Sequence, residues 1–501
     1  MKTVINTSLG MCEGVCEKGY VRWFGIPYAK PPVGDLRFKR AIENEGWDGI
    51  KFFDRMGPKP VQMAGGKFAD MTHTDNRESE NCLSLNVWAP DREEEDSLKP
   101  VFVWIYGGGH HAGEASAPEY YLDSFAKNDV VAVSFNYRLG VLGFYDFSDI
   151  DSEFESNCGI SDMILALKWI NDNISNFGGD PKRVTICGES AGASAILALI
   201  ACPAVKDYFS QAIVMSGVLS NTSGSRMQRI NNEKYLKWIG VDASEIKKLK
   251  TMSVDELKKG CEPFFAQKEM TDPGIMANGP VIDDLVTKKP LDAIKAGAAA
   301  GKNIIFGTCR DEGNLFYYMK ICPEKWDDVE KMLKINGYGN RISEFHEIYD
   351  NPNQVKSIVS INRDRMFWAD TMKCALAQSE FADTYMYRFD YVTPLSRLLK
   401  LNATHSTDVC PVLNTREGRM SLFYKGMLKS SLKPLFSQMH GAVLNFIKTG
   451  NPSSDLVGEW PVFDKATKMA MIFSSDTAVS NEVFDEKKYR LWEDIELYAG
   501  D

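Results

Sequence analysis

The sequence has no uninterrupted apolar run that approaches the ~18 residues a membrane-spanning helix requires. Its first residues, Met1-Lys2-Thr3-Val4-Ile5-Asn6-Thr7-Ser8, lack the apolar core and small-residue cleavage site of a secretory leader. A cytoplasmic protein without a membrane partner is therefore expected. Positive charge is in deficit. There are 58 Lys and Arg against 68 Asp and Glu, a formal charge of −10. That balance argues against a nucleic-acid partner and against an anionic membrane surface. No internal repeat and no low-complexity linker divides the chain. The 11 cysteines are odd in number and scattered through apolar contexts such as those of Cys187, Cys202 and Cys374. They suit buried free thiols in a reducing compartment better than a disulfide framework. Cys12 and Cys16 form the closest pair, but no two further ligands stand at metal-site spacing, so no metal is expected.

What is present fits an α/β protein. Hydrophobic residues make up 44% and charged residues 25% of the chain, both ordinary for a globular protein. Strand-like apolar runs alternate with amphipathic helical ones, which predicts a large, mostly parallel central sheet flanked by helices. Residues 2–40 read as a β-hairpin leading into an extended Pro- and Gly-rich segment. Strands are predicted at Leu85–Ala89, Pro100–Tyr106, Val130–Tyr137, Arg183–Cys187, Gln211–Ser216 and Asn303–Thr308. Thr384–Asp390 is the last clear strand. A helix over 160–177 is stopped by Gly178-Gly179. The acidic run Asp91–Asp96 reads as a solvated loop. A long helix is expected near 431–448. Helical blocks near 220–270 and 325–380 are expected to be insertions over one edge of the sheet in a single domain spanning 1–501.

The most informative stretch is Gly188-Glu189-Ser190-Ala191-Gly192. It joins a strand-like run to the small, apolar, helix-forming Ala193–Ile200. Strand, Gly-x-Ser-x-Gly, helix is the pattern of a nucleophile elbow, in which Ser190 is lifted out of the sheet. Glycines flank it because a side chain there would strike the neighbouring strand or helix. A serine nucleophile needs a base, an acid to orient it and donors for an oxyanion. Only three of the six histidines follow Ser190. His346 lies in a charged helical stretch and His440 on an apolar helix face, where a packing role is commoner. His405 lies in a polar loop beyond the last clear strand, where the base belongs. Asp311 and Glu312 both follow a buried strand, and position alone does not separate them. Asp408, three residues from His405, is less suited to face its Nδ1. Gly107-Gly108-Gly109 ends a central strand, where its free N–H groups can converge with that of Ala191.

These features, with others spread along nearly the whole chain, resemble the type-B carboxylesterase family of α/β-hydrolases. That family includes bacterial para-nitrobenzyl esterases, to which the likeness is greatest, animal carboxylesterases and cholinesterases. The further motifs are Phe24-Gly25-Ile26-Pro27-Tyr28-Ala29, Leu36-Arg37-Phe38, Ser79-Glu80-Asn81-Cys82-Leu83, Trp104–Gly109, Asn136–Gly140, Phe177–Pro181, Asp311-Glu312-Gly313 and Thr449–Pro452. The resemblance implies a carboxylic ester hydrolase of small-molecule esters. It implies Ser190 as nucleophile, His405 as base, Glu312 as acid, and Gly108, Gly109 and Ala191 as oxyanion donors. It also implies a structural ion pair between Arg37 and Glu80; the mechanism needs no cofactor, and the sequence leaves monomer or homodimer open.

Three departures from the family pattern stand out. Pro60 occupies the position of a cysteine that usually bridges to the one matching Cys82. His110 and His111 follow the glycines where Phe is common, which makes the pocket wall more polar unless both face solvent. The loop 63–79 has no tryptophan and the segment Asp272–Gly279 has no phenylalanine, which makes a choline ester an unfavourable substrate. An amide or thioester hydrolase would use the same constellation. A non-catalytic binding module would be expected to lack the serine or the histidine.

Overall fold

The computed structural model describes residues 3–63, 74–91, 97–266 and 279–497. Among these, eleven strands form one sheet. Their order is Ala478–Ser480, Ala470–Phe473, Thr384–Phe389, Asn303–Cys309, Gln211–Met215, Gly179–Glu189, Lys99–Ile105, Val131–Phe135, Ser84–Pro90, Tyr20–Pro27 and Val15–Glu17. The run from Ala470–Phe473 to Val131–Phe135 is parallel throughout, and the outer pairings are antiparallel. The central strands read as continuous apolar runs because both faces are covered. Val101 to Tyr106 are all buried, as are Val131 to Phe135. Each large side chain removed from water in this way contributes about 1.5–3 kcal/mol.

The parallel arrangement decides where chemistry can occur. Every strand of the parallel run delivers its C-terminal end to the same edge, and the loops there converge. Ser190 follows Glu189, Gly107 follows Ile105, Ser216 follows Met215 and Glu312 follows Cys309, each at the end of its strand. The segment beyond Phe389 carries His405 back over that edge.

Several elements differ from the expectation. The N-terminal residues form two hairpins. Val4–Thr7 and Gly10–Glu13 belong to a separate small sheet with Ile50–Phe52, while Val15–Glu17 and Tyr20–Pro27 extend the main sheet. The extended Phe24–Pro27 stretch is thus strand, with its register broken at Gly25. Gly25 has φ +79, and a Cβ there would lie 2.6 Å from the Arg55 carbonyl oxygen. The elbow strand begins earlier than Arg183, at Gly179. Thr384–Phe389 is not the last strand: Ala470–Phe473 pairs with it and Ala478–Ser480 closes the sheet. With four and three residues, these are too short to show a sequence period.

The helices agree more closely. Cys158–Asn173 runs into a 3-10 turn, Ile174–Phe177, which ends on Gly178 at φ +87. Lys429–Thr449 contains the long C-terminal helix. The block near 220–270 is Ser225–Ile239, a 3-10 stretch Ala243–Lys250 and Val254–Ala266. It packs with Phe38, Met63, Tyr145 and Phe147 into a core of its own. The block near 325–380 is a series of short helices with a π-turn at Asp364–Trp368. Most of the acidic run lies outside the described residues. So do much of the loop 63–79 and the segment 272–278. No helix among the described residues is long and apolar enough to cross a membrane.

Candidate active site

Ser190 sits between the strand Gly179–Glu189 and the helix Ala191–Ile200 with φ 56 and ψ −123, a conformation that L-residues rarely adopt. The surroundings enforce it. A Cβ on Gly192 would lie 2.1 Å from the Ile105 carbonyl oxygen, and one on Gly188 would lie 2.6 Å from the Gly192 carbonyl carbon. The Ser190 amide donates to the Met215 carbonyl at 2.9 Å, which ties the elbow to the next strand. The helix beyond is buried over its whole length. Its first amide, from Ala191, has no carbonyl one turn behind it to accept its hydrogen.

Gly107-Gly108-Gly109 turns against the elbow. A Cβ on Gly107 would lie 2.9 Å from that of Ser190. Gly108 and Gly109 have φ 118 and 62, so the turn itself requires glycine-like freedom. Neither amide donates a hydrogen bond among the described residues. Two unengaged donors beside a strained serine can hold a developing negative oxygen.

His405 is buried, and both ring nitrogens face carboxylates. Nδ1 lies 2.6 Å from Glu312 Oε2, and Nε2 lies 3.2 Å from Glu189 Oε1. Glu312 is fully buried and doubly anchored: its Oε1 accepts from Ser216 Oγ at 2.5 Å and from the Cys309 amide at 2.7 Å. Glu189 Oε1 accepts from Ser406 Oγ at 2.5 Å. The ring is flanked by Phe367 and Phe316, with centroids 4.6 and 5.1 Å away. Burial alone would disfavour the imidazolium, but Glu189 and Glu312 outweigh it and raise the His405 pKa to about 9. Burial raises Glu189 to about 7, against the pull of His405. Ser190 Oγ makes no hydrogen bond with His405 here. Resting catalytic contacts are often looser than reacting ones.

The other candidates fall elsewhere. Asp311, next to Glu312, accepts from Arg310 and from the Ala403 amide, and points away from the imidazole. Asp408 accepts from Tyr387 Oη at 2.6 Å and is raised to about 6 by burial. His346 is half-exposed, stacked on Trp326 and 3.2 Å from Glu330. His440 is buried between Ser124 Oγ and the Val412 carbonyl, each at 2.9 Å. Burial lowers its pKa to about 4. His110 and His111 are buried, so solvent exposure is excluded for both. His110 lies against Phe144 with centroids 4.3 Å apart, and burial holds its pKa down to about 3.

Arg37 and Glu80 pair through Nε–Oε2 at 2.7 Å and through Nη2–Oε1. Arg37 Nη1 also donates to the carbonyls of Leu249, Lys250 and Met252, which ties the pair to the 243–266 block. Cys82 is buried and free. Among the described residues, no group of three His, Cys, Asp or Glu could hold a metal ion.

Sequence reasoning missed Glu189, Ser216 and Ser406. Glu189 left a usable signal, an ionisable residue at the x position before the serine, where burial is forced. Ser216 left none. It is the serine ending a strand, and its φ of 53 is visible only in the structure.

A family model described as the carboxylesterase family matches residues 1–492. The chain is 33% identical over 496 residues to the para-nitrobenzyl esterase of Bacillus subtilis (strain 168), covering 98% of each chain. It is 30% identical over 475 residues to the phenmedipham hydrolase of Pseudarthrobacter oxydans, covering 92% of this chain and 93% of that one. A solved structure of a PNB esterase superposes with a TM-score of 0.88 at 32% identity, covering 98% of this chain and 99% of the other.

Proposed function

The chain belongs to the carboxylesterase family and is a carboxylic ester hydrolase, and from that premise we propose that it works through an acyl-enzyme on Ser190. His405 Nε2 takes the Ser190 hydroxyl proton as Oγ attacks the ester carbonyl carbon. The carbonyl π-pair moves onto oxygen, and the amides of Gly108, Gly109 and Ala191 hold the oxyanion. The imidazolium that forms is stabilised by Glu312 at Nδ1. Collapse of the intermediate expels the alkoxide, which takes the proton back from Nε2. Water then repeats the sequence and releases the acid.

What carries the reading is the buried His405–Glu312 pair at 2.6 Å, with His405 Nε2 3.2 Å from Glu189, the residue before a serine whose backbone is held at φ 56. Glu312 fixes the tautomer. With Nδ1 donating to a carboxylate, Nε2 is the nitrogen left to accept a proton. Glu189 competes for that nitrogen in the resting state, so the productive arrangement requires Nε2 to exchange Glu189 for Ser190. The Arg37–Glu80 pair acts structurally, bracing the 243–266 block. We assign the chain to one domain and to a reducing compartment such as the cytoplasm. No disulfide joins any of the eleven cysteines and only Cys16 is exposed, which supports that assignment. The substrates are small carboxylic esters, and no cofactor takes part.

The test is hydrolysis of p-nitrophenyl acetate, butyrate and octanoate, with mass mapping after an organophosphate probe. The adduct is expected on Ser190. Ser190→Ala should lower kcat by roughly 10⁴–10⁶ with the fold retained. A variant keeping a tenth of the wild-type rate would remove Ser190 from the mechanism.

A further inference from the structure

The acidity of the chain is not evenly spread. Between Pro394 and Pro434 there are seven Lys or Arg against two acids, a net formal charge of +5 in a chain that totals −10. One of those two acids, Asp408, is buried in the site. Of the cations, Arg397, Lys400, Lys425 and Lys433 are exposed and make no ion pair among the described residues. Some cations elsewhere, such as Lys247, Lys250 and Lys468, each sit on a glutamate, while others such as Lys182 and Lys356 are also unpaired among the described residues, so it is the clustering of cations with exposed leucines that sets this stretch apart.

The same stretch carries the most exposed apolar side chains. Leu398 and Leu428, at 78% and 74%, exceed every other exposed large hydrophobic residue among those described, and Leu399 and Leu422 accompany them. They are brought together by the fold. The helix Pro394–Leu398 packs on the 3-10 turn Met420–Tyr424. The chain then turns through the Lys425 amide to Leu422 carbonyl bond and the Met427 amide to Tyr424 carbonyl bond, which brings Leu428 to the start of the long helix. A second exposed apolar pair, Ile50 and Phe52, lacks a net positive surround: Lys51 lies between them and Arg55 is nearby, but Glu13, Asp48 and Asp54 offset them in sequence and register.

Protruding leucines interspersed along the chain with the unpaired cations Arg397, Lys400, Lys425 and Lys433 complement an anionic surface with an apolar interior. Nucleic acid offers the charge but nothing for the leucines. We infer that the Pro394–Lys433 patch is a docking surface for anionic phospholipid bilayers, the leucines entering the acyl boundary while the cations meet headgroups. The total charge had argued against such a surface, because a sum over the whole chain conceals a local reversal of sign.

The patch is joined to the catalytic edge. Asn314 Nδ2 donates to the Leu401 carbonyl at 2.9 Å, and the Asp311 amide donates to the Ala403 carbonyl at 2.9 Å, so the docking segment and the Glu312 turn are fastened together. Docking would bring bilayer-dissolved esters to that edge. This consequence rests on the proposed esterase mechanism, whereas the docking does not.

The experiment is co-sedimentation of the full-length protein with extruded vesicles. One set is phosphatidylcholine alone, and the other contains about one-third phosphatidylglycerol. Binding is expected only with the anionic vesicles, falling steeply as NaCl is raised. Leu398→Ser with Leu428→Ser, and separately Arg397→Glu with Lys425→Glu, should each cut the bound fraction by about fivefold or more. Hydrolysis of soluble p-nitrophenyl acetate and the Tm should stay unchanged. Ile50→Ser with Phe52→Ser should bind as wild type. Absence of vesicle binding by the wild-type protein would overturn the inference, as would binding that both patch variants retain. So would a dimer in size exclusion that the leucine variant dissolves, which would make the patch an interface between copies. If the leucine pair prevents folding, the charge pair decides alone.

Discussion

The two sides of the His405 imidazole face carboxylates of different kinds. On the Nδ1 side, Glu312 is fully buried and fixed by Ser216 Oγ and the Cys309 amide as well as by the ring. On the Nε2 side, Glu189 is 3.2 Å away and takes one hydroxyl, that of Ser406. A carboxylate satisfied by several fixed donors is an anchor, because moving it forfeits each bond in a medium where each is costly to lose. A carboxylate with few donors can yield its partner. On the proposed mechanism, orientation of the base falls to Glu312, and Glu189 belongs to the resting state, where it would set how readily the base is freed.

The strongest way to break this comparison is Glu312→Gln. The amide cannot stabilise the imidazolium and can present a donor to Nδ1, which inverts the tautomer. kcat/KM should fall by roughly 10³–10⁴, by analogy with the triad acid of serine proteases. A loss below tenfold would transfer the anchoring role elsewhere. Ser216→Ala removes one of the two fixed donors to Glu312 and should cost about 10–100-fold in kcat with KM little changed. A Tm loss with unchanged kcat would make Ser216 merely structural. Glu189→Gln probes the other side through pH. The base must be neutral at Nε2, so activity rises as pH rises through the His405 pKa, which the two carboxylates raise to about 9. Removing one negative charge should lower that pKa, and the rising limb of kcat/KM should move to lower pH. A limb that stays in place would show that Glu189 does not govern the base. The smallest effect belongs to Asp311→Asn, expected within about threefold of wild type, since its partners are Arg310 and a backbone amide rather than the ring.

Adjacent residues explain how far the sequence could be read. The elbow was legible because strand, turn and helix are consecutive and each glycine there answers a local collision. Asp311 and Glu312 were not separable, because both end a buried strand and only the direction of the turn into Gly313–Met319 sends one inward. The Arg37–Glu80 pair joins residues far apart in the chain, so only likeness to a family suggested it. The burial of His110 and His111 was out of reach as well. It depends on Phe144 and Tyr145 folding over the glycine turn from another part of the chain.

The late strands of the sheet bear on how the protein is made. Ser190, Glu312 and His405 have all left the ribosome before Ala470–Phe473 is synthesised, yet that strand covers the open edge of Thr384–Phe389, which leads into the His405 segment. Until it arrives, the nascent chain presents a row of unpaired amides and carbonyls along an apolar strand, the kind of edge that recruits other chains. A ribosome stalled before residue 470 would thus hold a chain with every proposed catalytic side chain and an unfinished sheet. The interval before Ala470–Phe473 arrives, and the chaperones that shield that edge meanwhile, should bear on the yield of active enzyme.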